Sequence, residues 1–356
     1  MGRQYISSSF RDPSGRLFMH NDCLYRDVKQ IHVVDYDKLM QSGLYKQLTE
    51  AGQLVPHIEV DELKHEGTYK TIKPDHISFI SYPYEWCFSQ LKDAALLTLS
   101  IQKIAMSFGM SLKDASAYNV QFVGCKPIFI DTLSFETYRE GEPWIAYKQF
   151  CQHFLAPLML VAKKDVRLSR ISQLYIDGIP LDLASSILPW NTWLNPGVVV
   201  HLHIHSKYQT KYSNKRLPEN KLNRRVDRKA LIGLLENLAS TIKALEWEPV
   251  GTEWADYYSE GKHNYYDNSF KTKIEVVSKY LKQVNPISLW DLGANNGTFS
   301  RIASGLGIKT ISMDIDAAAV ELNYLKGKKD SEENILPLLI DLTSPSPGIG
   351  WQNNER

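Results

Sequence analysis

Apolar residues at Leu91, Ala94, Ala95, Leu97, Leu99, Ile101, Ile104 and Ala105 recur at helical spacing. They predict a long, broadly buried helix over 87–108, closed by Gly109 as its C-cap. Residues 36–52 read as a second helix, ending at Gly52. Residues 144–162 read as an apolar helix kinked or broken at Pro157, and 228–245 as a helix opening the second half of the chain. Elsewhere the apolar runs are short and punctuated. Residues 1–35 predict a hairpin, with Asp12-Pro13-Ser14-Gly15 as a turn signal ahead of Leu17-Phe18-Met19. A strand over 77–81 leads into the aromatic bend Tyr82-Pro83-Tyr84-Glu85-Trp86. Short strands over 122–124 and 128–130 flank Gly124-Cys125-Lys126-Pro127. In the last third, strands over 287–292, 309–313 and 335–340 follow a helix over 270–283.

Composition narrows the class. A chain of 356 residues with 43% hydrophobic residues suggests about two domains and excludes wholesale disorder. The net charge of +1 argues against bulk nucleic acid as a partner. No apolar run approaches the ~18 residues of a membrane span. Met1-Gly2-Arg3-Gln4 leads into polar residues without a signal-peptide core, so the expected location is the cytoplasm. Cys23, Cys87, Cys125 and Cys151 are widely spaced, which fits reduced, buried thiols. Residues 207–229 hold nine basic side chains against Glu219 and Asp227. That stretch reads as a solvated basic linker over 207–228, with an anion-binding strip as the sharper alternative.

The segment Ile287-Ser288-Leu289-Trp290-Asp291-Leu292-Gly293-Ala294-Asn295-Asn296-Gly297 runs from an apolar strand through an acid into a glycine turn and a helix start. Acids recur at the next two strand ends, at Asp314 and Asp341, and such a strand-end acid suits ribose hydroxyls. The dinucleotide pattern Gly-x-Gly-x-x-Gly fails, because Asn295 and Thr298 stand at its second and third glycines. An acid ahead of the glycines also opposes a pyrophosphate and favours a cofactor carrying an ammonium group. Here the segment resembles class I S-adenosylmethionine-dependent methyltransferases, with Asn295 in place of the middle glycine. The resemblance implies that Asp291, Gly293, Asn295 and Gly297 flank the methionine end of S-adenosyl-L-methionine. It implies that Asp314 holds the ribose and that Asp341 faces the adenine amine. Trp254, Tyr257, Tyr258, Tyr265 and Tyr266 would cover the cofactor.

The resemblance spans about residues 250–356 and supplies strands 1 to 3 of a seven-stranded sheet. The expectation is therefore a chain truncated at its C-terminus, or a second chain that completes the sheet.

Residues 111–131 place Asn119 five residues after Asp114, and Asp131 ends an apolar strand twelve residues later. This resembles the catalytic and metal-binding loops of protein kinases. One Asp there orients the attacking hydroxyl, while Asn and a second Asp hold Mg²⁺ on the nucleotide phosphates. The pattern departs at Leu112-Lys113, at Thr132-Leu133, and in residues 1–80, which lack a Gly-rich loop and offer only Lys70 and Lys73 as nucleotide lysines. The alternative is that Asp114, Asn119 and Asp131 make turn hydrogen bonds. His201, His203 and His205 alternate as on a strand and form a weak zinc candidate.

The expected fold is thus an α+β kinase-like region over 1–206, with a small lobe over about 1–80 and a helical lobe over 81–206. An incomplete α/β Rossmann-like methyltransferase domain over 229–356 follows the linker. The whole resembles a group of bacterial S-adenosylmethionine-dependent methyltransferase proteins, some of them nodulation-related. That implies methyl transfer to an acceptor the sequence does not name. A phosphotransferase in the first half and a non-catalytic scaffold are the alternatives.

Overall fold

A computed structural model of the protein describes residues 3–205, 226–250 and 267–355. Most of the basic stretch and all five aromatics between Trp254 and Tyr266 lie outside these.

The chain begins with a five-stranded antiparallel sheet in the order β1-β2-β3-β5-β4. Its strands are β1 (Gln4–Tyr5), β2 (Gly15–His20), β3 (Cys23–Lys29), β4 (His57–Glu59) and β5 (Thr68–Pro74). The hairpin turn is Asn21-Asp22, both at positive φ, and Asp12–Gly15 is instead the bend that enters β2. Between β3 and β4 the predicted single helix is two, α1 (Val33–Gln41) and α2 (Leu44–Glu50). Gly43 separates them at φ +89°, a conformation that breaks the helical hydrogen-bond ladder and favours glycine. The strand expected over 77–81 does not form. Gln121 takes both hydrogen bonds of Ser81 instead, accepting from its N–H and donating to its carbonyl.

The helical part is built on α3 (Phe88–Ser107), close to its predicted bounds and ended by Gly109 at φ +67°. Two small antiparallel pairs follow: β6 (Met110–Leu112) pairs with β9 (Phe135–Thr137), and between them β7 (Val120–Val123) forms a hairpin with β8 (Lys126–Phe129). The next helix is interrupted before Pro157 rather than at it. α4 (Tyr147–Phe150) widens into a π turn, Cys151–Leu155, that runs directly into α5 (Ala156–Lys163) with Pro157 in its first turn, and the Gln152 carbonyl, five residues before the proline, accepts the Ile179 N–H at 3.0 Å instead. α6 (Leu181–Ile187), α7 (Pro196–Val198) and a π-helical turn, Val199–Ile204, complete this part. α8 (Arg228–Lys243) folds back onto α3. It buries Leu231, Leu235, Leu238 and Ile242, and Lys103 pairs with Glu236 at 2.8 Å.

The last part is α/β: α9 (Asp267–Val284), β10 (Ser288–Leu292), α10 (Ser300–Gly305), β11 (Lys309–Asp314), α11 (Ala317–Lys329) and β12 (Ile335–Leu339). The strands form a parallel sheet in the order β10-β11-β12. The sheet does not stand apart. Ile311, Val320, Tyr324, Ile335 and Leu338 belong to the same apolar core as Leu91, Phe122 and Phe129. Tyr324 donates to Asp93 at 2.8 Å and to the Cys125 carbonyl at 3.2 Å, and Lys328 pairs with Asp93. Glu321 of α11 accepts from the backbone N–H of Ser89 at 3.0 Å and from its hydroxyl, so it caps the N-terminus of α3. Cys87, Cys125 and Cys151 are buried free thiols, as composition suggested.

Candidate functional site

All strands of the parallel sheet end on one side, so Asp291, Asp314 and Asp341 fall at or just beyond a single edge. This is the side on which open α/β sheets bind ligands. The loop between β10 and α10 has the backbone expected of it. Gly293, Asn295 and Gly297 have φ of +79°, +51° and +77°, so Asn295 holds in practice the left-handed conformation that a glycine would. A side chain on Gly293 would meet nothing, which leaves open space against the loop, whereas one on Gly297 would run into Asn323.

The loop consumes its own donors. The N–H groups of Gly293 and Ala294 both go to the Met313 carbonyl, and Asn295 donates to Asp314 at 2.6 Å. Asn296 donates to the Asn295 side chain, and Gly297 to the Ala294 carbonyl. The five N–H groups from Gly293 to Gly297 are thus used within the loop and its neighbouring strand end. Acceptors remain. Each Asp314 oxygen takes one backbone N–H, from Asn295 or Asp316, and a carboxylate oxygen has a second lone pair. Asp291 receives the Ser300 hydroxyl on one oxygen. Asp341 is held by Thr343 and faces Arg170 at 3.5 Å. Its hydrogen bonds from Thr343, with Arg170 nearby, keep its carboxyl below the usual range. The set suits a ligand that donates, with hydroxyls or an ammonium. A cleft where this edge meets the helical part is walled by Trp86, Phe88, Leu91, Trp247, Ala317 and Leu339.

The second constellation also converges. Asn119 donates to Ser134 at 3.1 Å and to the Asp114 carbonyl at 3.5 Å. Ser134 also hydrogen-bonds Asp131. Asp114 receives Ser116 N–H at 2.9 Å, a turn bond of the kind the plainer reading expects.

Sequence reading missed the residue that dominates this site. Arg26, on β3, donates to Asp131 at 2.6 Å and to Asp12 at 2.6 Å. Burial alone would raise the Asp131 pKa, but Arg26 together with hydrogen bonds from Ser134 and Leu133 lowers it. Lys70 and Lys73 lie on β5 and engage Glu59 and the Tyr25 ring. Lys113, directly after β6, donates to Ser14 at 2.6 Å, tying the β1–β2 connection to the loop. His32 sits beside Lys113; burial and that cation push its pKa down to about 4. A guanidinium seated on Asp131 does not fit a divalent cation on the same carboxylate.

The three histidines do not share a strand face, because the chain there is a π-helical turn. His201 lies between the Tyr147 hydroxyl at 2.7 Å and Asn237 at 2.8 Å. His203 lies between Ser185 and Thr192 and stacks on Trp193. His205 stacks on Tyr147. Burial lowers the pKa of His201 and His205. Among the described residues no three His, Cys, Asp or Glu side chains are grouped to hold a metal ion.

No family model matches the chain. It is 31% identical over 360 residues to the nodulation protein NoeA of Rhizobium meliloti (strain 1021), a match covering 99% of this chain and 74% of that protein. Among solved structures it is similar to vaccinia related kinase 3, at 11% identity and a TM-score of 0.31, over 69% of this chain and 84% of that one.

Proposed function

The chain belongs to the family of the nodulation protein NoeA, and from that premise we propose that it is an S-adenosylmethionine-dependent methyltransferase whose cofactor lies at the carboxyl edge of the parallel sheet. The observation that carries this reading is the loop itself. Three alternate residues at positive φ bend it away from open space at Gly293, while Asp314 reaches across to hold it from the next strand end. Three carboxylates stand at or just beyond this edge, a set that suits the hydroxyls and ammonium of S-adenosylmethionine better than a pyrophosphate. When bound, this cofactor supplies a methyl group already activated on a sulfonium. The protein then needs only to hold donor and acceptor in line and to exclude water. Asp314 would bind the ribose hydroxyls, Asp291 would attract the ammonium, and Asp341 would stand toward the adenine. The apolar cleft beside Ala317 and Leu339 supplies a dry wall.

Isothermal titration with S-adenosylmethionine tests it. Saturable binding is expected, weakened about tenfold or more in Asp314→Ala through loss of charged hydrogen bonds. Asp314→Asn, which keeps an acceptor for the loop, separates binding from loop collapse. Absence of saturable binding in the parent chain, or affinity in both variants equal to the parent's, defeats the assignment.

A second reading rests on the convergence of Asp114, Asn119 and Asp131: phosphotransfer in the first half. It requires Arg26 to leave Asp131. Mg²⁺-dependent ATP binding that disappears in Asp131→Ala supports it; no ATP binding at millimolar concentration ends it.

A further inference from the structure

After β12 the chain turns at Asp341 and crosses back over the first half of the molecule. The Ser346 hydroxyl hydrogen-bonds Glu85, in the bend that leads into α3. Ile349 forms a small apolar cluster with Tyr84 of that bend and with Tyr118, which lies between Asp114 and Asn119 in the chain. Arg11 pairs with Glu355 at 2.9 Å, and the Ser7 hydroxyl donates to the Asn354 carbonyl. Ser7 and Arg11 belong to the connection between β1 and β2. The same connection supplies Asp12, which shares Arg26 with Asp131, and Ser14, which accepts from Lys113. One segment thus spans the bend, the Asp114–Asn119 loop and the small sheet.

The hold is light. From Leu342 to Glu355 only Ile349 and Glu355 are buried. The Glu355 N–H donates to the Ile349 carbonyl at 3.1 Å, which sets the two anchors side by side. The turn between them puts Gln352 and Asn353 at φ of +53° and +55°, a conformation that costs energy in a residue with a side chain. The cluster around Ile349 is also separate from the main apolar core. A segment with few buried contacts and a strained turn opens at lower cost than the core beneath it. We propose that this segment is a closing strap: by fixing the β1–β2 connection to the helical part, it keeps Arg26 on Asp131 and shuts the Asp114–Asn119–Asp131 loop. With the strap released, the connection swings away and takes Asp12 from Arg26. The phosphotransfer reading requires Arg26 to leave Asp131, and the strap is the contact that yields first. The proposal does not rest on that reading, because its test follows Arg26 itself and not turnover.

The test is hydrogen exchange on the full chain, read by mass spectrometry, together with the rate at which phenylglyoxal modifies Arg26. Ile349→Asp puts a charge into the apolar anchor. Glu355→Gln removes the ion pair to Arg11 but keeps an acceptor for the Trp351 N–H. Each should speed exchange over residues 7–14 by about tenfold or more. Arg26 should be modified faster in both, while α3 keeps the protection it has in the parent. Ile349→Leu, which preserves the apolar anchor, should match the parent in both measurements. The proposal fails if residues 7–14 exchange at the parent rate in both variants. It fails if they open while Arg26 is modified no faster, since the segment then covers the surface without holding anything shut. It fails too if α3 loses protection to the same extent, which would make the segment part of the core.

Discussion

Arg26→Ala is expected to destabilise the protein by about 3–5 kcal/mol, the range for removing one partner of a buried ion pair. The lower figure is the better guide, because the Arg26 side chain keeps 11% exposure. The loss arises because Asp131 and Asp12 share this one guanidinium, so its removal leaves two carboxylates near each other without their common cation. The pH dependence carries a sign that can be checked. In the folded protein Asp131 titrates below its ordinary value, so its contribution is complete above that value and is lost as pH falls through the lower, folded one. In Arg26→Ala burial keeps only the Ser134 and Leu133 hydrogen bonds as counterweight, so Asp131 should titrate above its ordinary value, and acidification from that raised value down to the ordinary one should stabilise rather than destabilise. Denaturant melts of the two proteins from about pH 3 to about pH 6, at intervals of about one pH unit, read out this reversal. Parallel curves for the two proteins would mean that Asp131 is solvated and that the pair contributes nothing.

Tyr324→Ala should have an effect of similar size, about 3–5 kcal/mol, for a different reason. The ring is fully buried between α11 and the helical part, with Phe122 edge-on at 6.0 Å, and its hydroxyl serves Asp93 and the Cys125 carbonyl. Tyr324→Phe keeps the ring and should cost about 1–2 kcal/mol through the orphaned acceptors. Because one apolar core runs through both parts, each variant should still melt in a single transition at a lower temperature. Two transitions, with only the later part of the chain shifted, would show that the sheet unfolds on its own.

What was legible in the sequence was local. The 87–108 helix, the three parallel strands and the positive-φ loop each follow from a pattern confined to one segment. The errors have equally definite causes. The His201–His205 alternation imitates a strand, but Tyr147, Asn237, Ser185 and Thr192 hold these rings from distant positions and the backbone takes a π turn to deliver them. Residues 77–81 carry strand-forming side chains, but the Ser81 backbone at their end is claimed on both sides by Gln121. Arg26 was invisible as a site residue because nothing in the sequence relates it to Asp131, 105 positions away; the only available signal was a cation in the middle of the third strand. The seating of α11 on α3 was unreadable for the same reason. Caps and sockets between remote segments leave no periodicity.

The cap on α3 also sets an order of events. Glu321 lies 232 residues beyond the Ser89 N–H it satisfies, and Tyr324 comes as late to Asp93 and Cys125. During synthesis at ~5–20 residues per second, the helical part must wait on the order of ten to fifty seconds for them. Until then α3 has only its local Gln90 cap on the Cys87 N–H and lacks the acceptor for Ser89, and the apolar socket around Phe122 and Cys125 is open to water. The nascent chain is therefore most vulnerable to proteolysis and to holdase chaperones in that interval, and its protection should arrive in one late step, when residues through β12 have left the ribosome.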